Sequence, residues 1–165
     1  MIRMKTVAVL VAGSSLAAGA ALAQGVVTTK QLNADVANGI AMAAVEQCRK
    51  DGFRVSVAVV DRGGNLQAMV RDNGAGPHTA DTAQRKAFTS ATFGISSAEF
   101  ATRVASNPGA ANLKEITGVI ALGGALPIRA GSDLLGGIGV GGAPGGDKDE
   151  ACAKAGIDKF ADKLK

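Results

Sequence analysis

The segment that decides the fold is residues 53–71, Phe-Arg-Val-Ser-Val-Ala-Val-Val-Asp-Arg-Gly-Gly-Asn-Leu-Gln-Ala-Met-Val-Arg. Residues 53–60 are rich in valine and apolar on both faces, which is typical of a central strand. Residues 61–65 predict a turn, because Gly, Asp and Asn tolerate positive φ better than other residues. Residues 66–71 then predict the return strand, so the whole segment is expected to form a β-hairpin.

Helical patterns lie on both sides of this hairpin. Apolar side chains recur at helical spacing over residues 29–51, and Gly52 supplies a natural C-terminal stop. After the hairpin, helices are predicted over residues 79–93 and 98–105. The first of these has a face of small residues, which would let it lie very close to a sheet or another helix: Ala80, Ala83, Ala87 and Ala91.

Three further strands are predicted over residues 119–122, 126–129 and 134–140, followed by a final helix from Asp147, with Glu150 completing a capping box, to about residue 164. Two strands, then helices, then three strands do not alternate as a doubly wound parallel sheet does. The order predicts an α/β (α+β) domain whose five-stranded, mainly antiparallel sheet carries helices on both faces.

Residues 137–142, Gly-Ile-Gly-Val-Gly-Gly, formally match a dinucleotide-binding G-x-G-x-x-G. That motif needs the first strand-to-helix turn of a parallel fold, whereas only one helix remains here, so a nucleotide fingerprint is rejected. The alternating glycines instead allow close approach of a helix, a ligand or another chain. An anion could also bind at the following helix N-terminus, although Asp147 would compete for its free N–H groups.

Composition excludes several classes of protein. The 165 residues are 47% hydrophobic and 19% charged, which excludes disorder. Two Cys and one His exclude a Cys₄ zinc site and a multi-histidine metal centre in one chain. The net charge of +4 comes with no basic run, so nucleic-acid binding is not indicated.

Residues 1–23 have the three parts of a secretory signal peptide: a positive start at Arg3 and Lys5, an uncharged apolar run, and the small-x-small pattern Ala-Leu-Ala. A membrane anchor is the alternative, but the run is slightly short and diluted by Ala, Gly and Ser. We expect cleavage after Ala23, a single domain over residues 24–165, a periplasmic or secreted location, and no membrane association thereafter. In an oxidising compartment Cys48 and Cys152 are then a candidate disulfide, the alternative being two buried thiols.

His78 is the only imidazole and lies in a polar loop at a predicted helix start. It could be an axial ligand to haem iron, a proton-transfer group, or a surface residue near a helix cap. Arg85 and Lys86 follow on the same helix and either face solvent or neutralise an acidic ligand. No G-x-S-x-G elbow occurs, so no catalytic residue is assigned.

Residues 55–92 resemble the GlcG/HbpS-type family, known as the haem-binding or haem-degrading domain. The matching stretches are residues 57–66, Arg71, residues 74–75 and residues 83–87, and the similarity continues through residues 123–128, 136–142, Pro144, 149–150 and Ala153. Each piece is weak alone, but the ordered set spans nearly the whole chain after residue 23.

This resemblance implies a profilin-like three-layer α/β/α fold and a homo-oligomer. It also favours an exported haem (tetrapyrrole)-binding protein, in which His78 is the metal ligand and Arg71, Arg85 and Lys86 are candidate partners of the haem propionates. Two alternatives stay open: a haem-degrading enzyme, and an accessory subunit of a periplasmic oxidoreductase with no ligand of its own. Whether the chain is an enzyme is left undecided.

Overall fold

The structure is a computed structural model that describes residues 25–165; the predicted signal peptide lies outside these residues. Its elements run in the order α1 (Ala34–Lys50), β1 (Ser56–Asp61), β2 (Leu66–Arg71), α2 (Thr79–Phe93), α3 (Ser97–Ser106), a 3₁₀ segment (Pro108–Glu115), β3 (Ala125–Ala130), β4 (Asp133–Gly141), α4 (Gly146–Lys159) and a 3₁₀ turn (Ala161–Lys163). Among the described residues, no helix has the length and apolar character needed to cross a membrane.

The strands form one sheet in the order β2-β1-β4-β3, and every neighbouring pair is antiparallel. The predicted hairpin is confirmed, because β1 and β2 pair with Val57 opposite Val70. On its other side β1 pairs with β4, where Val57 lies opposite Val140. The strand with apolar residues on both faces is therefore central, as its composition indicates.

The predicted count of five strands is wrong, because residues 119–122 pair with no strand of the sheet. Backbone groups of Val119 and Ile120 bond to side chains of α2 instead. The Thr89 hydroxyl accepts from the Ile120 N–H at 2.9 Å, and the Arg85 guanidinium donates to the Val119 carbonyl at 2.9 Å. Val119 is buried in one cluster with Phe100, and Ala121 packs against that cluster, so these two residues help to fill a small core between α2 and α3.

Two helix starts also differ from prediction, because other residues provide the caps. The first helix begins at Ala34 rather than residue 29, since the Asn33 side chain accepts from the Asp35 N–H at 2.8 Å. The expected capping box at the last helix is absent, because α4 is capped by Gly145 without a side-chain hydrogen bond. The carboxylate that accepts a hydrogen bond from the preceding loop is that of Asp149, whose Oδ1 lies 3.1 Å from the Ala143 nitrogen.

Helices cover both faces of the sheet. On one face, α1 and α4 share the main core with the inward side chains of β1 and β4, among them Val57, Val59 and Ile138. On the other face, Ala58 and Val60 pack against the alanines of α2. Successive side chains of β1 point to opposite faces of the sheet, so this one strand contributes residues to the core on each face.

Backbone lies on backbone where α2 meets β4. A methyl group added at Gly139 would lie 2.1 Å from the Ala83 carbonyl oxygen, and one added at Gly137 would lie 2.5 Å from the Ala87 carbonyl oxygen. The small face of α2 is completed by Ala91, 3% exposed. From the sequence, a helix, a ligand or another chain is expected to lie close to the alternating glycines, and in the structure a helix lies there.

The two cysteines form a disulfide between α1 and α4, which confirms the expected pairing. Cys48 and Cys152 are fully buried, with their Cα atoms 5.5 Å apart. The bridge joins residues 104 positions apart in sequence, and such bridges stabilise by restricting the unfolded chain, typically by about 2–4 kcal/mol. It holds together the two helices that cover one face of the sheet.

We predict that Gly139→Ala destabilises the protein by about 1–3 kcal/mol, because the methyl group would overlap backbone that cannot move alone. Gly141→Ala is the matched control on the same strand, since its added methyl would lie 3.1 Å from the Thr79 carbonyl oxygen. Urea unfolding should show a clearly smaller loss for Gly141→Ala. Equal losses in the two variants would contradict close contact at Gly139.

Candidate ligand-binding cleft

A cleft of about 500 Å³ opens where α2 begins and β4 ends. One wall is the start of α2, and the other is the 142–146 loop, by which we mean the connection from β4 to α4 together with Gly146, the first residue of α4. Gly123 closes one side. The lining side chains with polar or large apolar groups are His78, Thr79, Thr82, Lys86, Leu122, Pro144 and Asp149.

His78 lies at this cleft because the loop before α2 is anchored to the sheet. The Thr79 hydroxyl is 2.7 Å from the Ser56 hydroxyl of β1 and donates to the Gly76 carbonyl at 2.7 Å. His78 is the N-cap residue of α2, its side chain makes no capping hydrogen bond, and it is exposed. The imidazole lies over Gly76, where an added methyl would be 2.9 Å from Cε1.

The other end of that loop is held by Asp72, which is 2% exposed. Arg49 Nη2 lies 2.7 Å from Asp72 Oδ1, and the Asp72 carbonyl accepts from the Ala75 N–H at 3.1 Å. The hydrogen bond from Arg49 lowers the pKa of Asp72 from 3.8 to about 2, although desolvation opposes it. This contribution to stability is therefore present above pH 3.8 and is lost as the pH falls toward 2.

A buried ion pair forms the floor of the cleft. Lys86 Nζ lies 2.8 Å from Asp149 Oδ2, and the two residues are 5% and 2% exposed. Lys86 also donates to the Val140 carbonyl at 3.0 Å, while Asp149 Oδ1 accepts from the Ala143 N–H at 3.1 Å. Burial raises the pKa of the Asp149 carboxyl above its usual value, against the opposing hydrogen bonds from Lys86 and Ala143.

Of the four residues predicted to hold a ligand, the structure brings two together in this cleft, His78 and Lys86. Arg71 ends β2, outside the cleft lining, and its guanidinium donates to the Ala75 carbonyl. Arg85 lines a second cleft of about 440 Å³ with Phe88. Lys86 does not face solvent, so that alternative is wrong for this residue.

Sequence reasoning missed Asp149 and Leu122 as parts of the site. Asp149 belongs to the stretch that resembles the family, but nothing in the sequence pairs it with Lys86, 63 positions away. A buried lysine requires such a partner. An acidic partner for Lys86 could therefore be sought once it is known that this residue lies on the buried face of α2. Leu122 is 49% exposed at the cleft because residues 119–122 are not a strand.

The fold and the cleft define a mixed α/β domain with one antiparallel sheet and a ligand-sized opening at the end of that sheet. The model of the family described as "Haem degrading protein HbpS-like" matches residues 32–158. The chain therefore belongs to the HbpS-like haem-degrading family, and the resemblance to the GlcG/HbpS type is confirmed.

Solved structures agree with this assignment. A double mutant of HbpS from Streptomyces reticuli is 42% identical with a TM-score of 0.80, and the match covers 89% of this chain and 99% of that one. Protein ORFY of Klebsiella pneumoniae, a member of family DUF336, is 25% identical with a TM-score of 0.75, over 82% and 94% of the two chains. PduOC, solved as a complex with haem, is 24% identical with a TM-score of 0.70, over 78% and 94%, and supports the fold alone. No curated protein matches this chain.

We predict that Lys86→Met destabilises the protein by about 3–5 kcal/mol at neutral pH, because it leaves the Asp149 carboxylate buried without its counter-ion. In the parent, Lys86 opposes the rise in the pKa of Asp149 that burial causes. Without Lys86 this pKa should rise further, so folding of the variant takes up a proton over a wider range of pH than folding of the parent does. The loss should therefore be smallest near pH 4 and grow as the pH rises. Urea unfolding from pH 4 to 8 measures this, and a loss independent of pH would contradict it.

Proposed function

We propose that the protein binds haem or a similar flat tetrapyrrole in the cleft between α2 and the 142–146 loop, with His78 as the ligand to the metal. The observation that carries the proposal is an exposed imidazole at the rim of a ligand-sized cleft, in a member of the HbpS-like haem-degrading family. A volume of about 500 Å³ suits a site for a small molecule or cofactor.

The cleft offers one histidine as a metal ligand, which fits a metal whose other ligands come from a bound cofactor. Among residues 25–165, no group of three or more His, Cys, Asp or Glu side chains is arranged to hold a bare metal ion. A lone histidine is nevertheless sufficient for haem, in which the porphyrin supplies four nitrogen ligands. His78 alone could therefore complete such a site, whereas it could not hold a structural zinc ion.

The lining also offers contacts for the rest of a tetrapyrrole. Leu122 and Pro144 present apolar surface, and burial of ligand against it would contribute about 25 cal/mol per Å². Lys86 uses two of its three ammonium protons on Asp149 and Val140, so a propionate could accept the third. Arg71 and Arg85 are the proposed partners for a propionate that extends past the cleft.

Titration of the purified protein with haemin should give a saturable shift of the Soret band. His78→Ala should weaken binding by about tenfold or more and move the band, because the iron loses its protein ligand. Adding free imidazole to His78→Gly is the matched rescue and should restore the parental band position. No saturable shift in the parent would contradict haem binding, and an unchanged spectrum in His78→Ala would contradict the ligand assignment alone.

Haem breakdown is the second candidate, favoured by the description of the family as haem-degrading. The same haemin complex, incubated with ascorbate and oxygen, separates the two functions. Loss of the Soret band with release of a linear tetrapyrrole would show degradation. A stable band through the same incubation would show a binding protein, as we propose.

We also propose that the protein is exported and forms a homo-oligomer. Support for export comes from the disulfide, because such bridges persist in oxidising compartments. The periplasmic or secreted protein should begin at residue 24 and have an intact mass 2 Da below that of the dithiol form. A mass that retains residues 1–23 would contradict cleavage, and light scattering on the same sample would measure the number of subunits.

A further inference from the structure

The loop that forms one wall of the cleft has few anchors of its own. Gly141 still pairs with Ser56 of β1, and Gly145 already caps α4. Between them, the described structure records one hydrogen bond from the backbone of residues 142–144, the bond from the Ala143 N–H to Asp149 Oδ1 at 3.1 Å. A connection with so few backbone partners depends strongly on the side chain that holds it.

The second oxygen of the same carboxylate reaches the opposite wall. Asp149 Oδ2 accepts from Lys86 Nζ at 2.8 Å, and Lys86 belongs to α2, the helix whose first residues carry His78. Asp149 is itself in the first turn of α4, on the far face of the sheet from α2. One side chain therefore links α4, the 142–146 loop and α2 around the end of β4.

The position of this carboxylate is closely defined. A methyl group added at Gly124 would lie 2.6 Å from Lys86 Nζ and 2.8 Å from Asp149 Cβ, so both side chains pack against a residue without a side chain. Three residues further along α4, Cys152 is bonded to Cys48 of α1. The helix that carries Asp149 is thus fixed to the rest of the core, and the carboxylate has little freedom to follow a moving loop.

We infer that Asp149 is a positioning residue of the ligand site: it sets the separation of the two cleft walls by holding Ala143 with one oxygen and Lys86 with the other. The inference rests on the proposed function, since it concerns the same cleft. It assigns Asp149 no contact with the ligand. Its role is to keep the loop wall at a fixed distance from the wall that carries His78.

The test compares two double variants, Lys86→Met/Asp149→Asn and Lys86→Met/Asp149→Leu. Both lack the Lys86 ammonium and both remove the buried charges, a replacement that buried ion pairs often tolerate. They differ in whether residue 149 can accept from the Ala143 N–H. Hydrogen exchange of residues 141–146 and haemin titration are measured on both variants and on the parent, with urea unfolding to confirm that each is folded.

We expect the Asn variant to keep the Ala143 amide protected, and the same amide to exchange about tenfold faster in the Leu variant, as the loss of one hydrogen bond predicts. The Leu variant should also bind haemin more weakly than the Asn variant, with a displaced Soret band. Equal exchange and equal haemin binding in the two variants would overturn the inference. If the parent binds no haemin, the proposed function fails, but the exchange comparison still decides whether Asp149 holds the loop.

Discussion

The close contact between α2 and β4 is the constraint on which the rest of the structure depends. Because Gly137 and Gly139 have no side chains, the carbonyl oxygens of Ala87 and Ala83 can come within 2.5 and 2.1 Å of the positions that Cβ atoms of these two residues of β4 would occupy. A helix normally packs on a sheet through a layer of side chains. Between α2 and β4 that layer is largely missing, so the dispersion contacts there come from backbone and alanine.

The same contact determines what the cleft contains. Lys86 lies on α2 between the alanines that touch the strand, and its Cβ would be 3.1 Å from a methyl group at Gly139. A lysine so close to the sheet cannot turn outward as Arg85 does, so its ammonium is directed to the end of β4. There the Val140 carbonyl and Asp149 satisfy it. The buried charge is thus a consequence of helix packing, and the cleft forms around it.

The sequence predicts this arrangement where the signal is local. Valines on both faces and the Asp-Arg-Gly-Gly-Asn turn define the hairpin, and the alanine face and the alternating glycines indicate a close helix contact. The prediction of a fifth strand was wrong because the pattern over residues 119–122 indicates only that the segment is apolar. Whether its backbone pairs with a strand or with Thr89 and Arg85 depends on tertiary contacts.

The functional site is less predictable for a similar reason. His78 is found easily, since it is the only imidazole and lies at a helix start, whereas neighbouring Arg85 and Lys86 look equivalent in sequence. One residue along a helix is a rotation of about 100°, which sends Arg85 to the Val119 carbonyl and Lys86 to Asp149.

Gly139 and Gly124 leave the room in which Lys86 is buried, because methyl groups added there would lie 3.1 Å from its Cβ and 2.6 Å from its Nζ. A substitution at these glycines would act on the core and on the ligand site together. At these positions the stability of the fold and the shape of the cleft therefore cannot be varied independently.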